Sequence, residues 1–171
     1  MTRLLPTCAL AALLTGALPA LAQSSADFFR NKTLTWTIGY PPSGGFDAYS
    51  RAAARFLGKH IPGNPNVINA NMPGASSLQF VRWLANVAPK DGTAFGMFNR
   101  GLMPKSVLEP KETQVDFTKF SWIGSMNSEY AICYVWGGRK VTSLADLKKT
   151  TITLGDTSKN SGGYIYTSML R

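Results

Sequence analysis

Cysteine, histidine and acidic residues are scarce in this chain. Its 171 residues hold two cysteines, one histidine and nine aspartates and glutamates, against 18 lysines and arginines. A single histidine, His60, cannot build a histidine-rich metal site. No G-x-S-x-G elbow is present to offer a nucleophile for a base to activate. The phosphate-loop pattern G-x-x-x-x-G-K-[ST] and the dinucleotide pattern G-x-G-x-x-G are also missing. There is no internal repeat and no low-complexity tract. The expectation is a protein without catalytic residues, cofactor or metal.

Residues 1–22 read as a secretory signal: Arg3 is the positive start, an apolar run extends from Leu4 to about Leu18, and Ala20-Leu21-Ala22 is an A-x-A cleavage site. The run is short for a bilayer span and is broken by Pro6, Gly16 and Pro19. Cleavage would leave 149 of the 171 residues, enough for one compact domain. Cys8 lies within the signal, so Cys133 is the single mature cysteine. No internal disulfide framework is then possible, and stability must come from a packed core. Cys133 lies in the apolar run 130–136, where the ordinary reading is a buried, inert thiol.

The signal carries one base, Arg3, and none of the acids, so the formal charge falls from +9 to +8 on its removal. The bases are scattered, with no pair denser than Arg139-Lys140 or Lys148-Lys149. No nucleic-acid motif is present, and export to the periplasm argues against a nucleic-acid partner. The balance describes a soluble basic surface that favours anionic solutes.

After a short arm at residues 24–32, strand and helix patterns alternate. Leu34, Trp36 and Ile38 alternate with threonines in a first strand, residues 33–38. The helix that follows places Tyr49, Ala52, Ala53, Phe56, Leu57 and His60 on the face expected to pack on the sheet. A second strand at 66–70, a helix at 76–87 and a third strand at 94–98 continue the alternation, which predicts a right-handed parallel β-α-β-α-β unit. Beyond a weaker stretch, strands are expected at 121–125, 130–136 and 151–154. A short helix N-capped by Ser143 precedes the last of these, and a further helix begins near Tyr164. Trp36, Trp83, Trp122 and Trp136 are most simply core residues.

The strands end in small or polar residues. The first leads into Tyr40-Pro41-Pro42-Ser43-Gly44-Gly45-Phe46-Asp47, where prolines end the strand and glycines open a turn into a helix. Free backbone N–H groups and the positive helix end suit an anion there. Ligands of open α/β sheets sit outside the carboxyl ends of the strands. Such loops predict a ligand site built largely from backbone.

The ordered set of residues 37–47, then Asn71-Met72-Pro73-Gly74-Ala75-Ser76, then Ala88-Pro89-Lys90-Asp91-Gly92-Thr93 resembles the extracytoplasmic solute receptors of tripartite tricarboxylate transporters. The loop 155–163 is similar to their second-lobe Gly/Ser-rich loop, and the likeness runs over essentially all of the mature chain. The resemblance implies a type II periplasmic-binding-protein fold: a parallel β-α-β first lobe at residues 23–120, then a crossover and the start of a second lobe at 121–171. It implies capture of a small organic carboxylate and delivery to inner-membrane permease subunits. The first turn (Tyr40, Ser43, Gly44, Gly45 and Asp47) would hold the carboxylate. Gly74, Ala75 and Ser76 would lie beside it, and Ser158 and Ser161 would close over it. Ser43 and Ser77 depart from the family pattern, in which glycine is usual at the first place and common at the second. Such receptors are about twice this size, so a truncated N-terminal portion is expected.

Several roles stay open. Asp47 either orients a ligand group or caps its helix and organises water, and the second is favoured because a carboxylate repels an anion. A helix-end carboxylate contributes about 0.3–1 kcal/mol. Arg100 either makes a bidentate contact to a carboxylate or is a surface arginine beside a turn. Asn99 and Asn127 either donate to ligand or satisfy their own loops. The rival functions are an exported α/β hydrolase or transferase using Ser43 or Ser76, and a truncated product that binds nothing.

Overall fold

The computed structural model describes residues 24–128, 130 and 132–169. The expected signal, residues 1–22, lies outside them. The molecule is mixed α/β, organised on a three-stranded parallel open sheet in the order β2-β1-β3. The strands are β1 (Thr33–Ile38), β2 (Asn66–Asn71) and β3 (Ala94–Met97). Thr33 pairs with Asn66 and Ile38 with Asn71 on one side of β1, while Thr35 pairs with Ala94 and Ile38 with Met97 on the other. All three predicted N-terminal strands are therefore present. The alternation in β1 buries Leu34, Trp36 and Ile38 as expected, and Thr37 as well.

The helices are α1 (Ser25–Phe29), α2 (Gly45–Leu57), α3 (Leu78–Asn86), α4 (Leu102–Leu108), α5 (Pro110–Thr113), α6 (Leu144–Leu147) and α7 (Gly162–Met169). Ala54 of α2 packs with Trp36 and Ile38, joined by Phe95 and Val67. Leu78, Phe80 and Val81 of α3 form a second cluster with Leu102 and Phe117. Phe80 meets Gly96, whose neighbours in β3 point the other way, so α2 and α3 cover opposite faces of the sheet. Among the described residues no helix is long and apolar enough to cross a membrane.

The predicted inner face of α2 is borne out at Ala53 and Leu57, which pack against the Trp36 and Ile38 cluster, but is rotated elsewhere. Asp47, Ser50 and Ala54 are buried, whereas Tyr49 and Phe56 are 54% and 58% exposed and His60 is exposed in the turn that follows. Both ends of the helix set this rotation. Asp47 is tied beneath the first turn, and Gly58 lies so near Pro65 that a Cβ there would stand 2.5 Å from its carbonyl oxygen. Small residues allow that close approach, and aromatic ones do not.

Among the described residues, the strands expected at 121–125 and 130–136 do not form at 121–125, 130 or 132–136, and neither does the one at 151–154. An extended segment becomes a strand only when another backbone accepts its hydrogen bonds, and no such partner lies beside these residues in the described sheet. Tyr130, Ile132, Tyr134 and Trp136 are consequently 82–92% exposed. Cys133 is exposed too, contrary to the buried thiol expected. Trp36 is buried and Trp83 half-buried, but Trp122 lies at the rim of the Phe98, Phe117 and Phe120 cluster and Trp136 in solvent. The expected cap at Ser143 is present as a complete capping box with Asp146.

Phe80 is fully buried between α3 and the sheet. Phe80→Ala is expected to destabilise the protein by about 3–5 kcal/mol, measured by chemical denaturation.

Candidate functional site

Because the strands are parallel, the loops after β1, β2 and β3 emerge together at one end of the sheet. In the order β2-β1-β3 the switch point lies between β1 and β3, where open α/β sheets admit ligands. Ser77, fully buried, occupies that junction. Its Oγ donates to the Gly39 carbonyl at 3.0 Å and accepts from the Asn99 amide at 3.2 Å, joining the ends of β1 and β3.

The first turn is held from below by Asp47. Its carboxylate accepts from the Ser43 amide at 3.0 Å, from Arg51 Nε at 2.9 Å and from Asn71 Nδ2 at 2.9 Å. Asn71 Nδ2 also donates to the Tyr40 carbonyl at 2.9 Å, and Arg51 Nη2 donates to Asn71 Oδ1 at 2.8 Å. The bonds from Arg51, Asn71 and the Ser43 amide, in that order, hold the Asp47 carboxyl well below the usual carboxylate range. Asp47 thus serves the turn, at the third position of α2, with Gly44 as N-cap.

Above this support the start of α2 is open. A Cβ at Gly44 or Gly45 would meet nothing within 4 Å. The first amides of a helix have no intrahelical acceptor, so those of Gly45 and Phe46 are available to an acceptor from outside the helix. The Tyr40 ring stacks on Phe46, with centroids 4.3 Å apart and planes 3° from parallel. Burial pushes the Tyr40 phenol up, against the opposing pull of the Ser77 hydroxyl and the Arg100 charge. Arg100 itself is exposed.

The loop after β2 is conformationally unusual. Ala75, Ser76 and Ser77 have φ of 47°, 51° and 75°, three successive left-handed residues without a glycine among them. This delays α3 to Leu78, two residues later than its sequence pattern predicts. Ser43 in the first turn also has positive φ, at 72°. The left-handed region favours glycine, and other residues occupy it at a cost of order 1–2 kcal/mol each.

The loop ahead of α7 reaches these turns from across the chain. Ser158 Oγ lies 2.5 Å from Ser76 Oγ, and Asn160 Nδ2 donates to the Ala75 carbonyl at 3.1 Å. Asn99 Nδ2 donates to the Asn160 carbonyl at 2.9 Å, while Asn99 Oδ1 accepts from the Gly101 amide at 2.9 Å. Ser161 is buried and accepts from the Tyr164 amide at 3.2 Å, capping the start of α7. Asp156 joins that cap: bonds from the Ser161 hydroxyl and from backbone amides of Thr157 and Tyr164 pull its carboxyl down.

The structure therefore brings Tyr40, Ser43, Gly44, Gly45, Gly74, Ala75, Ser76, Asn99, Arg100, Ser158 and Ser161 to one end of the sheet, with Asp47 beneath. Asn127 stands in a separate exposed loop, where its Oδ1 accepts from the Ser128 amide. Sequence reasoning missed Asn71, Arg51, Asn160 and Asp156. Only Arg51 left a trace, four residues beyond Asp47 on the same helix. His60 lies beyond the opposite end of α2 from Ser43. Among the described residues no group of three histidines, cysteines or acids is placed to hold a metal ion. Two surface depressions, of about 240 Å³ between α4 and α7 and about 350 Å³ beside the end of α2, lie away from the strand ends.

These contacts set the expected behaviour of three variants. Ser77→Ala removes both bonds of a buried hydroxyl while keeping the left-handed backbone, and should cost about 1–3 kcal/mol in chemical denaturation. Ser43→Gly keeps the amide bond to Asp47 and relieves the backbone, so it should be neutral or stabilising by up to about 1 kcal/mol. A depressed carboxyl pKa contributes stability that is present above the unfolded value, about 3.9, and is lost as pH falls toward the folded value. Asp47→Asn should therefore flatten the acid limb of the stability profile below about pH 4, followed by circular dichroism.

No protein-family model matches this chain, and comparison with curated proteins and with solved structures gives no match either.

Proposed function

We propose that the protein is an exported solute-binding receptor of the tripartite tricarboxylate transporter type, with a type II periplasmic-binding-protein architecture. The sheet with α2 and α3 belongs to its first lobe, and the loop 155–163 to its second. A small organic carboxylate binds at the start of α2 and is presented to inner-membrane permease subunits. The protein acts by capture and release, without a chemical step.

The observation that carries this reading is the meeting, at one end of a parallel sheet, of three of the four segments on which the family likeness rests, 37–47, 71–76 and 155–163; the fourth, 88–93, leads into β3 at the opposite end. Two further facts support it. The amides of Gly45 and Phe46 offer a carboxylate donors without an opposing side chain, because Asp47 is turned under and neutralised by Arg51. Ser43 and Ser77 both have the positive φ that glycine, usual in the family at the first place and common at the second, adopts freely.

Thermal unfolding of the full chain with mono-, di- and tricarboxylates tests the proposal, with the matching amides as controls. A receptor gains stability by mass action, about 2.7 kcal/mol at a hundredfold excess over Kd. The expected outcome is a concentration-dependent rise in Tm with at least one acid and none with its amide. A folded sample that responds to no acid would sink the proposal.

A further inference from the structure

Helix α2 turns the side chains of Tyr49 and Phe56 into solvent. They stand seven residues apart, about 10 Å along one face, with exposed Ala52 between them. Exposed Arg55 and Lys59 flank this ridge, and Lys59 Nζ stands 5.1 Å from the centroid of the Phe56 ring. The single carboxylate of the helix, Asp47, is buried on the opposite side and paired with Arg51. The outward face is thus aromatic and cationic with no anion to balance it. Two exposed rings with two cations beside them give this face both apolar and charged groups for a contact.

We propose that this face of α2 docks on an anionic lipid bilayer surface. Tyr49 and Phe56 enter the headgroup layer, and Arg55 and Lys59 meet lipid phosphates. Aromatic rings concentrate at headgroup level, and long basic side chains lay their stems on apolar surface while their charges reach outward. A single helix ridge suits a flat interface that offers apolar and anionic groups all along its length. An acidic protein partner would need a pocket for each of two rings and carboxylates in register with both cations. The chain's formal charge of +9 adds long-range attraction to the same surface. The docking uses none of the strand-end residues and stands independently of the receptor reading.

Vesicle flotation of the full chain tests it, with phosphatidylcholine alone and with added phosphatidylglycerol. Binding is expected on the anionic vesicles, weakened by salt and absent on the neutral ones. Arg55→Gln and Lys59→Gln should each weaken it about fivefold, and the double variant Tyr49→Ser/Phe56→Ser should abolish it. These side chains are exposed, and unchanged circular dichroism checks that the variants keep the fold. Failure of the parent chain to float with anionic vesicles would overturn the proposal, as would equal binding by the variants. A lipid-free dimer in sedimentation that Tyr49→Ser/Phe56→Ser dissolves would also overturn it, assigning the face to a second copy.

Discussion

The buried hydroxyl of Ser77 is the contact on which the strand-end architecture depends. Where β1 and β3 part, two backbone groups, the Gly39 carbonyl and the Asn99 amide, would otherwise be left without partners in a dry space. One oxygen satisfies both. Its placement fixes the loop after β2 against the other two loops, and that loop then takes three left-handed residues to return to α3. The hydroxyl thus rewards a backbone that glycine would adopt more easily. At Ser43 no such reward is visible from the side chain, since the bond to Asp47 is made by the amide.

Asp47 performs a parallel service on the other side of β1. A buried carboxylate is unfavourable unless its charge is countered and hydrogen-bonded. Here the Arg51 guanidinium and the Asn71 amide do both. The same anchoring fixes the rotation of α2, and that rotation decides which residues meet solvent. The shape of the turn and the character of the outer helix face therefore share one cause.

Local patterns that carry their own structural reason were legible in the sequence. Alternation in β1, the proline and glycine turn, and the Ser143 cap appear where expected because neighbours in sequence determine them. The inner face of α2 was read correctly at Ala53 and Leu57 but misread at Tyr49 and Phe56, because periodicity favours aromatic residues inside, whereas the contacts at Gly58 and Asp47 demand small and polar ones. Residues 121–125, 130–136 and 151–154 have strand-like side chains, but a strand is a property of two backbones and composition reports on one. The roles of Asn71 and Asn160 were likewise invisible, since each depends on a residue more than 20 positions away.

The bond between Ser76 and Ser158 spans 82 positions of the chain. Closing so long a loop costs entropy that neighbouring, sequence-local contacts do not bear. The helices and the β1–β2 pairing have no need of it, so they can form before residues 158–161 arrive. The turn at the start of α2 rests on contacts nearer in sequence, and the loop 158–161, held by a few hydrogen bonds, belongs to the part that local opening releases first.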